Sequence, residues 1–133
     1  MRLLLTCLLL LGLVGLRAEL TTDHYRRLQD EAAEALVVKT DQVDVKITLG
    51  KDGKQFDVQA TATVQSVLRS KAGHRPGDVI QIAYTVIQTV VPMPGPGKPR
   101  VLGKGETVRA YLNPTADPRT LGLAAYGQSF MTP

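Results

Sequence analysis

Apolar and polar residues alternate with period two over most of the chain beyond residue 42. Val43, Val45, Ile47 and Leu49 are separated by Asp44, Lys46 and Thr48, and the pattern resumes at Phe56, Val58, Ala60, Ala62 and Val64. Successive side chains of a strand point to opposite faces, so each set predicts a strand with one apolar face. Between them lies Gly50-Lys51-Asp52-Gly53-Lys54, whose Asp-Gly pair favours positive φ and predicts a hairpin turn. The second strand runs from Gln55 to Leu68, a length that calls for a bend or a bulge.

Further strands follow. Arg75-Pro76-Gly77-Asp78 reads as a turn, and Val79–Val91 as a third strand region with Ile80, Ile82, Tyr84 and Val86 on one face. Pro92 to Pro99 carries four prolines. They lack the N–H that a sheet ladder needs, so this segment is a loop. Val101–Leu112 reads as the fourth strand region, with Val108, Ala110 and Leu112 inward, and Leu121–Phe130 as a short fifth one with Leu123, Ala125 and Phe130 inward.

Before the strands the period is helical. Tyr25, Leu28, Ala32, Ala35 and Leu36 share one face and Arg26, Arg27, Asp30, Glu31 and Glu34 the other, predicting a helix over 22–36 with Thr22 or Asp23 as its N-cap. The expected architecture is mainly β (α+β): an N-terminal helix and a five-stranded antiparallel barrel over about 43–130. One domain is expected, spanning residues 19–133.

The first 18 residues stand apart. Arg2 precedes an apolar run from Leu3 to Leu16, and Ala18 precedes the polar segment opening at Glu19. This is the layout of a cleaved secretory signal peptide. The run is shorter than the roughly 20 residues of a membrane-spanning helix, so no stable membrane insertion is expected after cleavage, and the chain is expected to be secreted or periplasmic. Cleavage changes the chemistry of what remains. Arg2 and Arg17 leave, so 16 basic residues become 14 against 12 acidic ones and net charge falls from +4 to +2. Cys7, the only cysteine, leaves too. The mature chain is then expected to have no disulfide, no thiolate ligand and no cysteine nucleophile.

The segment from Arg75 to Tyr84 (RPGDVIQIAY), the proline loop, and Leu102 to Leu112 (LGKGETVRAYL) resemble OB-fold domains of the netrin-like kind, typified by the tissue inhibitors of metalloproteinases. The similarity spans about residues 43–130. It implies an OB-like barrel and, as one functional alternative, an inhibitor or modulator of an extracellular protease. Those inhibitors act through an N-terminal cysteine, whereas the expected cleavage here exposes Glu19, so no inhibitory residue carries over.

Candidate chemistry is sparse. His24 and His74 lie 50 residues apart with no ligand cluster around either, so no metal site is expected. Ser129, in Gly127-Gln128-Ser129-Phe130-Met131, lacks the final glycine of the G-x-S-x-G elbow and reads as a solvent-side residue of the end strand; a small hydrolase is the least favoured alternative. No catalytic residue and no cofactor are assigned. Lys39, Lys46, Lys51 and Lys54 are interleaved with Asp41, Asp44, Asp52 and Asp57, a mixed solvated surface rather than a basic stripe. With no Trp and 5% aromatic residues, a nucleic-acid stacking groove is not expected. The expectation is an exported, non-enzymatic binding or adaptor module with a protein partner in the envelope or extracellular space. Long loops on a rigid scaffold are where binding residues concentrate. Its candidate surface is therefore Arg69, Lys71, His74, Arg75, Tyr84, Lys98, Arg100, Arg109 and Tyr111.

Overall fold

A computed structural model of the chain describes residues 22–89 and 98–133. The signal-like segment 1–18 with Cys7, and residues 90–97, which include the expected end of the third strand and most of the proline loop, lie outside the described residues.

A helix over 22–31 precedes six strands: β1 (Glu34–Gly50), β2 (Gly53–Ser70), β3 (Val79–Thr89), β4 (Thr107–Pro114), β5 (Thr120–Leu123) and β6 (Phe130–Met131). One turn of 3-10 helix, Tyr126–Ser129, joins β5 to β6. The strands pair in the order β1-β2-β3-β5-β4-β6, and β1 also pairs with β4. The sheet thereby closes in a ring, with β3 and β5 parallel and every other pair antiparallel.

β1 has 17 residues and would span roughly 55 Å if straight. Bulges bend it. Leu68 and Gln65 are extra residues on β2, and Asp41 is an extra residue on β1, at the three register shifts of the pair. Each adds local twist and lets the two long strands wrap around the interior. The core inside the ring is built from Leu36, Val38, Ala60, Ala62, Val64, Ile80, Ile82, Leu102, Val108, Ala110, Leu112 and Phe130. Burying each larger side chain there stabilises the fold by about 1.5–3 kcal/mol. The alternation expected for β3 holds: Ile80, Ile82 and Val86 are buried and Tyr84 is half-buried.

Four expectations are corrected. The sheet is not antiparallel throughout, since β3 and β5 run parallel. The helix ends at residue 31, not 36, and Glu34, Ala35 and Leu36 begin β1. Ala and Leu favour helix locally, but pairing of this stretch with both β2 and β4 overrides that preference. The strands among the described residues number six rather than five, because the stretch expected as one final strand is broken. Tyr126 takes φ 48°, the 3-10 turn follows, and Phe130–Met131 pairs with β4. Ser129 is fully buried, not solvent-side, and its hydroxyl accepts a hydrogen bond from the Ala125 N–H at 2.9 Å.

The turn between β1 and β2 is Lys51-Asp52, with Gly50 facing Gly53. Gly53 has φ 146°, and a Cβ there would stand 2.0 Å from the Gln88 carbonyl oxygen of β3. Glycine is required here both by conformation and by the close approach of the third strand.

Candidate functional site

The strand alternation divides β1, β2 and β3 into an inner and an outer face. Cross-strand partners share a face. The rows Asp44–Gln59–Ala83 and Lys46–Asp57–Thr85 lie on the outer one. Their neighbours Val45, Val58 and Tyr84 turn their side chains the other way. Over these rows lies an open depression of about 660 Å³, lined by residues 44–46, 57–59 and 83–85. Ala83 leaves room above the third strand, and the longer side chains of the first two strands form the walls.

The chemistry of this surface is polar. The Asp57 carboxylate accepts hydrogen bonds from Gln55 Nε2 and Thr85 Oγ1, both at 3.0 Å. Asp44 accepts one from Gln42 Nε2 at 3.3 Å, and Thr61 Oγ1 donates to Gln81 Oε1 at 3.2 Å. Lys46 has no carboxylate within ion-pair distance among the described residues. Two carboxylates, one ammonium and several amides on a rigid ladder can bind a polar surface. They present no aromatic plane on which a base could stack. Among the described residues no group of three or more His, Cys, Asp or Glu could hold a metal ion. No described helix is long and apolar enough to cross a membrane.

The residues expected to form a binding surface come from three stretches of the chain, and Arg69 and Tyr111 of two of them flank Ala35 in one row. Arg69, Lys71, His74 and Arg75 lie at the end of β2 and in the loop after it. Arg69 does structural work: its guanidinium donates to the carbonyls of Gln29 (2.8 Å) and Ala32 (2.9 and 3.1 Å). These carbonyls end the helix, where unpaired acceptors and the helix dipole favour a cation. Buried Glu34 anchors the same region, accepting from Ser70 Oγ and from the Ala72 N–H at 3.0 Å. His74 donates its backbone N–H to Ser70 Oγ at 2.8 Å. Its ring nitrogen Nδ1 lies 3.7 Å from Asp78, whose carboxylate also accepts from the exposed Arg75 N–H. Lys71 is exposed.

Tyr84, Lys98 and Arg100 form the second group. The Tyr84 hydroxyl donates to the Arg100 carbonyl at 2.8 Å and accepts from the Leu102 N–H at 3.0 Å. Its ring packs tilted on Phe130, centroids 5.5 Å apart. Burial pushes the phenol above its ordinary range, against the opposing pull of the Leu102 hydrogen bond. Arg100 grips Glu106 through two hydrogen bonds, and Glu106 also accepts from the Gly103 N–H at 2.9 Å. The Arg100 bond is the main reason the Glu106 carboxyl stays below the usual carboxylate range. These contacts pin residues 100–106 to the ring; Lys98 is exposed beside them. The third group, Arg109 and Tyr111, lies on β4, where they face Val37 and Ala35 of β1. Arg109 Nε is buried with no hydrogen-bond partner in the structure.

The outer-face residues Asp44, Lys46, Asp57 and Gln59 were legible in sequence as the polar half of two alternating strands. Their convergence with Ala83 and Thr85 was not, because it depends on the register of the third strand. No protein-family model, curated protein or solved structure matches the chain.

Proposed function

We propose that this chain is a non-enzymatic binding module of OB-like architecture acting outside the cytoplasm. Its contact surface is the outer face of β1, β2 and β3. The observation that carries the reading is the open depression, of mixed polar and apolar lining, over Asp44, Lys46, Asp57, Gln59, Ala83 and Thr85. Deep apolar cavities suit small molecules; an open depression of mixed lining on a three-stranded ladder suits another protein's surface. The OB-like architecture is supported by the strand order, in which β1 pairs with β2 and β4 and β3 runs parallel to β5. The address is supported by the signal-like pattern of residues 1–18.

The test is a photo-crosslinking residue at Gln59, compared with one at Arg119, whose side chain is 90% exposed. Expressed in the source cells, the Gln59 probe is expected to give a discrete adduct with a protein of the envelope or medium. The Arg119 probe is expected to give none, and Asp57→Lys should abolish the Gln59 adduct. No adduct at Gln59, or the same adducts from both positions, would overturn the reading.

A further inference from the structure

β1 has a free edge. Its first part, Glu34–Lys39, is paired on both sides, with β2 and with β4. The β4 side ends where Thr40 accepts from the Gly105 N–H at 2.7 Å and donates to the Glu106 carbonyl at 2.8 Å. From Asp41 to Gly50 the strand pairs, among the described residues, with β2 alone. Counting back from the two-residue turn, the even-numbered residues from 42 to 50 bond to β2. The N–H and C=O groups of Val43, Val45, Ile47 and Leu49 point away from it. The bulge at Asp41 joins this phase to the outward-bonding Thr40. The residues with outward-pointing backbone also carry exposed apolar side chains: Val45 is 40% exposed, Ile47 56% and Leu49 75%. An open edge of this kind is a template for strand addition.

The sequence of the edge points to a particular occupant. An antiparallel two-fold pairing centred on Val45 sets Val45 against Val45, Val43 against Ile47 and Asp44 against Lys46. Each of the last two pairs occurs twice. Apolar residues then meet on the inner face and opposite charges on the outer face, and the outward N–H and C=O groups meet in hydrogen-bonded pairs. Centring on Lys46 would set two ammonium groups against each other, and centring on Asp44 two carboxylates. Like charges directly opposed in a ladder are destabilising. A register about Ile47 avoids like charges but sets Lys46 against Thr48, so only the register about Val45 pairs opposite charges as well as apolar residues.

We propose that the free edge of β1 pairs with the same edge of a second copy of this chain, in antiparallel register about Val45. The result is a continuous sheet running β3-β2-β1-β1-β2-β3 through both copies. Seven residues, Gln42 to Thr48, take part on each side, and the pairing ends where the Gly105 turn covers Thr40.

The test is sedimentation of the chain from Glu19 across a range of concentrations. The unaltered protein is expected to form a dimer. Lys46→Asp places Asp44 against a second carboxylate twice over and should weaken the dimer by roughly tenfold or more. The exchanged variant, Asp44→Lys with Lys46→Asp, restores both opposite pairs and should dimerise again. Rescue depends on the register about Val45, and the exchanged variant also shows that charge changes at these exposed positions leave folding intact. A monomer at the highest concentrations, undiminished dimer in Lys46→Asp, or failure of the exchanged and folded variant to dimerise would each overturn the proposal. Sedimentation reads self-association, whereas the crosslinking at Gln59 reads an adduct with a different protein of the envelope or medium.

Discussion

The two ends of β1 obey the same alternation and meet different neighbours. From Glu34 to Thr40 the strand is flanked by β2 and β4, and Leu36, Val38 and Thr40 are fully buried. From Asp41 to Gly50 it has one flank among the described residues, and Val45, Ile47 and Leu49 stand partly in solvent although they repeat the apolar period. Alternation decides which residues share a face. Whether that face is covered depends on what the rest of the chain lays over it. β4 reaches the first end of β1 and stops at Thr40. The second end, with its partners in β2 and β3, extends past the core as a three-stranded flap, and the candidate contact surface lies on its other side.

This contrast can be broken most sharply by matched truncations. Leu36→Ala removes a fully buried side chain and should cost about 2–5 kcal/mol. Ile47→Ala, on the same strand and in the same period, should cost no more than about 0.5 kcal/mol. Urea unfolding at concentrations where the chain is monomeric checks both; equal costs would mean that the outer half of β1 is packed after all. The next largest effect concerns how the flap is held. Gly53→Ala forces a Cβ against the Gln88 carbonyl in a backbone conformation that alanine resists. It should cost about 1–3 kcal/mol. Hydrogen exchange should show the loss concentrated in Ile47–Asp57 and Thr85–Gln88, with β4 and the first half of β1 protected as before.

The smallest effect lies at the junction between the two regions, where the Arg100–Glu106 pair closes the segment beside Thr40. The carboxyl of Glu106 ionises more readily in the folded chain than in the unfolded one. Its contribution is therefore present above the ordinary carboxylate range and is lost as pH falls through the lower, folded value. Acidification should loosen residues 100–106 before the core unfolds, seen as faster amide exchange at Leu102 and Gly103. Glu106→Gln should show that looseness already at neutral pH. Unchanged exchange in either experiment would remove the pair from this role.

Much of the ring was legible in the residues. The hairpin at Lys51-Asp52, the inward set Ile80, Ile82 and Val86, and the inward set Val108, Ala110 and Leu112 all follow from period two and turn chemistry. The end of the helix was not legible, since Ala35 and Leu36 suit a helix face and a strand equally well and only β2 and β4 decide between them. Nor was the burial of Glu34: its partners Ser70 and Ala72 are 36 and 38 residues away. Arg69 reads as a surface cation because its acceptors are backbone carbonyls, which leave no mark on sequence. At the candidate site, the polar half of each strand could be read directly. The depression could not, because it requires a small residue, Ala83, to fall beside Gln59 in a register set by distant contacts.

The clamp of Arg69 on the end of the helix gives the molecule a base and a tip. The last helical turn is tied to the end of β2, and residue 22 lies within about 15 Å of that clamp. The Lys51-Asp52 turn sits at the opposite end of the same long strand. A fluorophore or affinity handle placed at residue 22 would therefore sit far from the exposed strand edge, whereas one inserted at the turn would crowd it. The base is the end by which to immobilise this protein on a sensor surface, leaving the tip open to whatever is flowed past.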